Sequence, residues 1–261
     1  RVLVVDDFFN FRLTIKNMLR SFGNMYIDDA ASGEEAVRKL ALRRFDIVLC
    51  DYNLGSGKSG QQVLEEGKFR GYIGYSSIFI MITAENTAEM IMSAMEYQPD
   101  SYIMKPFAKE VLEKRIKNIA AKKENIRDVE RAILNKDFDS ALRICDELLA
   151  TNPGNLSEIM SLKGEVLLKK ADYPRAADFY DKIMRMGNVG WAQLGRGRVE
   201  LLRGNYERAK DIFEYIISHN NKLMPAYDYL AETLLKLNNA QEAQQILMKA
   251  VNISPRALLR Q

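Results

Sequence analysis

The side chains that could do chemistry in this sequence come in four short pieces: Asp6-Asp7, Asp51, Thr83-Ala84 and Lys105-Pro106. Each follows a short strand-like run, namely Val2–Val5, Ile47–Cys50, Ile78–Ile82 and Ser101–Met104. Brought side by side, the pieces would gather three carboxylates, a hydroxyl and an ammonium in one pocket. Carboxylates packed so closely repel one another and stay ionised only beside a cation. All-oxygen ligation with open water positions suits Mg²⁺, and a cation so held can also bind phosphoryl oxygens. Asp51, alone on its strand, is placed as the nucleophile that becomes an aspartyl phosphate. Lys105 supplies a second positive charge toward the phosphoryl oxygens, and Thr83 a hydrogen bond to the attached group. Each piece also has a plain alternative: Asp7 as a helix cap, Lys105 as a solvated lysine, Thr83 as an ordinary strand residue. The four together, at equivalent strand ends in successive order, favour one shared site.

Bringing those ends together requires a parallel sheet. Up to about Lys122 the apolar runs Val2–Val5, Met25–Ala30, Ile47–Cys50, Ile78–Ile82 and Ser101–Met104 alternate with helical patterns. The helical stretches are Asn10–Phe22, Gly33–Arg43, Gln61–Lys68, Thr87–Tyr97 and Lys109–Lys122. Strands apolar on both faces, alternating with helices, predict a five-stranded parallel sheet covered on each side. Such a doubly wound α/β domain, over residues 1–122, binds ligands at the carboxyl ends of its strands.

The pieces Asp6-Asp7, Cys50-Asp51-Tyr52-Asn53, Ile82-Thr83-Ala84-Glu85 and Tyr102-Ile103-Met104-Lys105-Pro106-Phe107 resemble the receiver domain of bacterial two-component response regulators, a flavodoxin-like fold. The resemblance makes Asp51 the phosphoacceptor, with Mg²⁺ as cofactor. It makes Asp7 and Asp51 direct metal ligands, Asp6 a ligand through water, and the backbone carbonyl of Asn53 the remaining protein ligand. Thr83 and Tyr102 become a switch pair, Lys105 the phosphate-binding lysine, and the Lys105–Pro106 peptide bond cis. One departure stands out: Gly55 occupies the place where receivers usually carry proline, in a loop that reads Tyr52-Asn53-Leu54-Gly55-Ser56-Gly57-Lys58-Ser59-Gly60, about one residue longer than usual.

From about Glu124 the strand signal stops and a repeat begins. Ala141, Ala176, Ala209 and Ala243 each follow Phe138, Tyr173, Tyr206 or Ala240 by three, and each precedes Cys145, Tyr180, Phe213 or Leu247 by four. Gly164, Gly197 and Ala231 echo the same period, and Pro153 and Pro255 close the first and last units. A small residue lets paired helices approach, the aromatic fills the gap beside it, and proline ends the second helix. A period near 34 predicts stacked helical hairpins, since no unit buries its face alone. The pattern resembles the tetratricopeptide repeat (TPR) family, with Trp191 slightly out of register at the bulky position. About four repeats are expected over residues 123–261. The stretch Ile116–Ala132 holds no Gly or Pro, so a helix running through the junction is expected. Ser254-Pro255-Arg256 reads as the entrance to a further helix, and the absence of an initiator Met suggests residues before Arg1.

Composition narrows the function. Lys plus Arg number 38 against 35 Asp plus Glu, which gives no electrostatic case for nucleic acid or an anionic membrane. The two cysteines, Cys50 and Cys145, form neither a metal motif nor a disulfide framework and fit the cytoplasm. The single His219 reads as a surface or helix-end residue. The expectation is a phosphorylation-controlled signalling protein, not an enzyme beyond self-catalysed phosphoryl transfer and autodephosphorylation. It would receive phosphate from a histidine kinase or phosphotransfer protein and bind a protein partner through its repeats. A homodimer through the receiver is a further arrangement to consider. The alternatives are a DNA-binding transcription regulator, for which a reading helix and a basic face are missing, and a scaffold independent of phosphorylation.

Overall fold

Five short segments rich in Val, Ile and Leu pair in parallel: β1 (Val2–Val5), β2 (Ile27–Ala30), β3 (Ile47–Asp51), β4 (Ile78–Thr83) and β5 (Ser101–Met104), in the order β2-β1-β3-β4-β5. The computed structural model describes residues 1–84, 99–151, 154–187, 189–221 and 223–253. It divides into two compact units, Arg1–Arg127 and a second beginning at Asp128.

In the first unit the period of two along each strand builds two cores. Leu3, Val5, Val48, Cys50, Phe79 and Met81 face one way and pack with Ala36 and Leu40 of α2 (Gly33–Leu42) and Val63 and Leu64 of α3 (Gly60–Phe69). Val2, Val4, Leu49, Ile80, Ile82 and Ile103 face the other way, against Ile15 and Leu19 of α1 (Phe9–Arg20) and Leu112, Ile116 and Ile119 of α4 (Lys109–Lys123). Burial on both faces explains why β1, β3 and β4 are almost unbroken apolar runs. The expected helix Thr87–Tyr97 lies outside the described residues.

Three expectations need correction. β2 starts at Ile27 rather than Met25, and it is not apolar on both faces. As the edge strand it carries half-buried Asp28 and Asp29, which are neutralised by Lys39 on one side and by Arg12 and Lys16 on the other. Burial would raise the Asp29 carboxyl, but its bonds to Lys16 and Arg12 outweigh this and hold it below the usual range. The helix expected to run through Ile116–Ala132 is interrupted: α4 ends at Lys123, and α5 (Ile126–Leu134) begins after a turn at Glu124-Asn125.

The second unit continues with α6 (Phe138–Ala150), α7 (Leu156–Lys169), α8 (Tyr173–Met186), α9 (Gly190–Leu202), α10 (Tyr206–His219), α11 (Met224–Lys236) and α12 (Ala240–Ile253). The turns α5–α6, α7–α8, α9–α10 and α11–α12 share one geometry. Lys136, Ala171, Gly204 and Asn238 adopt φ of 59°, 60°, 80° and 60°. The next residue in each, Asp137, Asp172, Asn205 or Asn239, donates its N–H to the carbonyl five residues back, as in a Schellman turn. Ala141, Ala176, Ala209 and Ala243 are buried, and the repeat glycines lie against large side chains. An added Cβ at Gly164 would lie 2.6 Å from the Tyr180 hydroxyl, and one at Gly197 would lie 2.5 Å from the Phe213 ring. Gly195 belongs to the same contact, with its would-be Cβ 2.2 Å from the Tyr180 ring. Trp191 meets Tyr180 edge-on. Pro153 and Pro255 lie outside the described residues. His219 is exposed at the end of α10, as expected. Among the described residues, no helix is long and apolar enough to cross a membrane.

Candidate functional site

Parallel register sets the site. Val5 pairs with Cys50, Asp51 with Ile82, and Thr83 with Met104, so the ends of β1, β3, β4 and β5 lie level. The chain continues from these ends into Asp6-Asp7 after β1 and Lys105 after β5, while Asp51 and Thr83 are the last residues of their strands. The carboxylate oxygens of Asp6, Asp7 and Asp51 lie within 4.8 Å of one another. Lys105 Nζ donates to Asp6 Oδ2 and to Asp51 Oδ2, each at 2.7 Å. Lys105 is therefore not a solvated surface lysine; its side chain is mostly covered and its ammonium sits 4.0 Å from the centre of the Phe11 ring.

These contacts divide the labour among the carboxylates. Asp6 is buried, and both its oxygens are engaged: Oδ1 accepts the Phe8 N–H at 2.8 Å and Oδ2 accepts Lys105. Thus Asp6, not Asp7, bonds the backbone at the start of α1, and its oxygens have least freedom to meet an ion directly. Asp7 is the most accessible of the three and lines the pocket. Asp51 gives one oxygen to Lys105, and its carboxyl is pushed up to about 6. Burial is the largest cause, opposed by Lys105 and reinforced by the Asp6 charge. The same burial, with Asp51 and Asp6 nearby, pushes the Cys50 thiol well up, so Cys50 is a core residue and not a competing nucleophile.

A pocket of about 440 Å³ opens over this group, lined by Asp7, Asp51, Asn53, Thr83 and Lys105 among others. Every site residue expected from the sequence lines it or bonds to a residue that does, with the exception of Tyr102. Tyr102 is half-buried, packed on the same core cluster as Tyr52, and its hydroxyl is buried with no hydrogen-bond partner among the described residues. Burial, with a smaller contribution from Tyr52, pushes that hydroxyl up to about 12. Tyr102 is thus turned inward in this structure. The Lys105–Pro106 peptide bond is cis, as expected.

Other contributors were not singled out in the sequence. Phe8 and Phe11 line the pocket, and Phe11 meets Phe107 edge-on with ring centres 6.1 Å apart. Phe11 lies in the first turn of α1, whereas Asp7 precedes the helix, so no helical spacing linked the two in the sequence. Arg12 supports the acidic turn from behind: its guanidinium donates to the backbone carbonyls of Asp6 at 2.7 Å and Asp7 at 3.2 Å, and to Asp29 at 2.9 Å. The loop after Asp51 uses its glycines. Gly55 and Gly57 have φ of +71° and +102°, a region L side chains rarely enter. A Cβ at Gly60 would lie 2.1 Å from the Asp51 carbonyl oxygen. Asn53 Oδ1 accepts the Gly55 N–H at 3.3 Å, closing a side-chain turn that leaves Asn53 facing the pocket.

This donor set fits a hard, oxygen-ligated divalent ion: clustered carboxylates on a covered floor, one open side, and a lysine that offsets only part of the charge. Residues 2–117 match the sequence profile of the response regulator receiver domain. The chain is 31% identical over 119 residues to the chemotaxis protein CheY of Pseudomonas aeruginosa, covering 46% of this chain and 94% of that protein. It is 32% identical over 119 residues to chemotaxis protein CheY-3 of Vibrio cholerae, covering 46% of this chain and 90% of that one. Among solved structures, a CheY-like receiver domain protein from Methanospirillum hungatei shares 28% identity and covers 48% of this chain and 95% of its own, with a TM-score of 0.43.

Proposed function

Because this chain belongs, through residues 2–117, to the response regulator receiver family, we propose that it is a signalling protein whose Asp51 accepts a phosphoryl group and whose helical array passes the resulting state to a protein partner. The observation that carries this reading is Lys105 bridging Asp6 and Asp51 at 2.7 Å beside Asp7, at the carboxyl edge of the sheet.

The carboxylates of Asp7 and Asp51 and the backbone carbonyl of Asn53 would hold Mg²⁺, with Asp6 reaching it through water. When bound, the ion supplies positive charge that offsets the carboxylates and the phosphoryl oxygens. The Asp51 carboxylate attacks phosphorus in line, and the bond to the donor nitrogen of a phosphohistidine breaks as the new P–O bond forms. The leaving nitrogen keeps the electron pair, so that a donor ring protonated at its other nitrogen departs as neutral imidazole. Lys105, held at the pocket floor, meets the phosphoryl oxygens, and Thr83 at the end of β4 hydrogen-bonds to the attached group. Histidine kinases or phosphotransfer proteins are the donors in this reading, and self-catalysed transfer and hydrolysis at Asp51 are its chemistry.

For the array we favour a TPR-type protein-binding module. The support is the recurrence of the turn at Lys136, Ala171, Gly204 and Asn238 and the matching of Gly164 to Tyr180 and Gly197 to Phe213. The test is incubation with acetyl phosphate and Mg²⁺, followed by intact mass spectrometry. One base-labile phosphoryl group is expected, absent without Mg²⁺ and absent in Asp51→Asn. Equal labelling of Asp51→Asn would overturn the assignment. Capture on the array with and without beryllofluoride, set beside a DNA-binding assay at moderate salt, tests the output.

A further inference from the structure

The loop that carries the pocket from Asp51 to α3 is anchored early, by Leu54 buried in the core and by Asn53 Oδ1 accepting the Gly55 N–H, and then runs on through a glycine-rich stretch. It contains Gly55 and Gly57 at positive φ, and Gly60 follows, with its N–H donated to the Tyr52 carbonyl at 2.9 Å. Its near end is fixed by β3, and its far end by the box in which Ser59 and Gln62 cap α3. The stretch from Gly55 to Lys58, which runs on from the pocket wall at Asn53 and Gly55, is held by a neighbour from a different element. At the start of α2, Glu34 Oε1 accepts the Lys58 backbone N–H at 2.8 Å. The fit around that bond is close. A Cβ at Gly33 would lie 2.4 Å from the Lys58 carbonyl oxygen, so only glycine lets the loop approach the helix here. A Cβ at Gly57 would lie 2.7 Å from a Glu34 carboxylate oxygen, so the loop also has to be bare where the carboxylate enters. Lys58 turns its side chain away to Glu66 of α3, at 3.4 Å.

We propose that Glu34 is a positioning residue for the metal and phosphoryl pocket: its carboxylate clamps the loop at Lys58 beside Gly57 and so holds the stretch from Gly55 to Lys58 that completes the pocket wall begun by Asn53. A flexible loop that must be ordered when an ion binds weakens that binding by the cost of ordering. A loop ordered beforehand by a charge-assisted bond does not. Glu34 touches neither the ion nor the phosphoryl group, so its effect falls on affinity for the ion and leaves the transfer step itself alone. This inference rests on reading the pocket as a Mg²⁺ site.

The test uses the full chain, metal-free at the outset, as wild type, Glu34→Gln and Glu34→Ala. Hydrogen exchange of the loop residues 52–60 is measured before metal is added, and Mg²⁺ binding is then measured by calorimetric titration. In Glu34→Ala the Lys58 amide should exchange about tenfold faster while amides of β1 and β4 keep their protection. The dissociation constant for Mg²⁺ should rise about tenfold. Glu34→Gln keeps a neutral acceptor and should fall between the two. At saturating Mg²⁺ the rate of labelling by acetyl phosphate should stay within about twofold of wild type in both variants. Wild-type exchange and wild-type Mg²⁺ affinity in Glu34→Ala would overturn the proposal, as would a lowered saturating rate with unchanged affinity. Faster exchange spread evenly over β1 and β4 in both variants would also overturn it, by showing a fold defect. A wild-type chain that takes up no Mg²⁺ would instead sink the metal reading, and the metal-free exchange at Lys58 would still decide whether Glu34 holds the loop.

Discussion

Replacing Asp51 by Asn should make the metal-free N-terminal unit more stable at neutral pH, by an amount that disappears in acid. Folding moves the Asp51 carboxyl from its ordinary 3.8 to about 6, chiefly through burial and against the pull of Lys105. Between those pH values the folded chain holds a proton that the unfolded chain has lost. Stability therefore falls as pH rises from about 4 to about 6, and stays lower above that. The difference corresponds to about 3 kcal/mol, at roughly 1.4 kcal/mol per decade of the equilibrium. Asn resembles the protonated acid in shape, keeps an oxygen for Lys105, and does not ionise. Asp51→Asn should thus gain up to about 3 kcal/mol over wild type near pH 7.5 in EDTA, a rise of about 10 °C in the melting temperature of this unit. Near pH 4 the two chains should melt together. Scanning calorimetry of the full chain resolves the effect, because the relevant transition is the one that Mg²⁺ displaces upward in wild type. An excess stability equal at both pH values, or an Asn variant less stable near pH 7.5, would refute the argument that buried charge at Asp51 opposes folding.

Three further outcomes follow from particular contacts. Thr83→Ala should uncouple Tyr102 from the phosphate analogue: beryllofluoride should shift the Tyr102 ring resonances in wild type and leave them in place in the variant, and equal shifts in both would exclude this route. Gly195→Ala should lower the stability of the second unit by about 1–3 kcal/mol, because its new Cβ would lie 2.2 Å from the Tyr180 ring. The sole tryptophan, Trp191, packs edge-on against Tyr180 and reports that unfolding by fluorescence, while Gly187→Ala, with nothing within 4 Å of the added atom, is the control. Arg198→Met should cost about 1–3 kcal/mol, since it leaves Glu165 without its partner across α7 and α9 and removes the cation from the Tyr229 ring; an unchanged urea midpoint would show that this pair contributes nothing.

The sequence by itself determined the strand ends and the repeat, because both are periodic signals written in local side-chain chemistry. β1 and β5 fall where the apolar runs place them, and Asp6, Asp7, Asp51, Thr83 and Lys105 meet because parallel strands in register must end together. The small residues of the array likewise announce their aromatic partners, since a missing Cβ has to be filled by something large. Contacts between residues far apart in the chain carry no such signature. Only tertiary packing decided that β2 is an edge strand, where Asp28 and Asp29 are tolerated because lysines and an arginine from neighbouring helices cover them. Only packing turned Tyr102 inward, raised Asp51 by burying it, and set Arg12 behind the acidic turn. The bond from Glu34 to Lys58 is of the same kind: either residue alone reads as a solvated charge, and their meeting depends on a fold that brings a bare glycine loop against the start of α2.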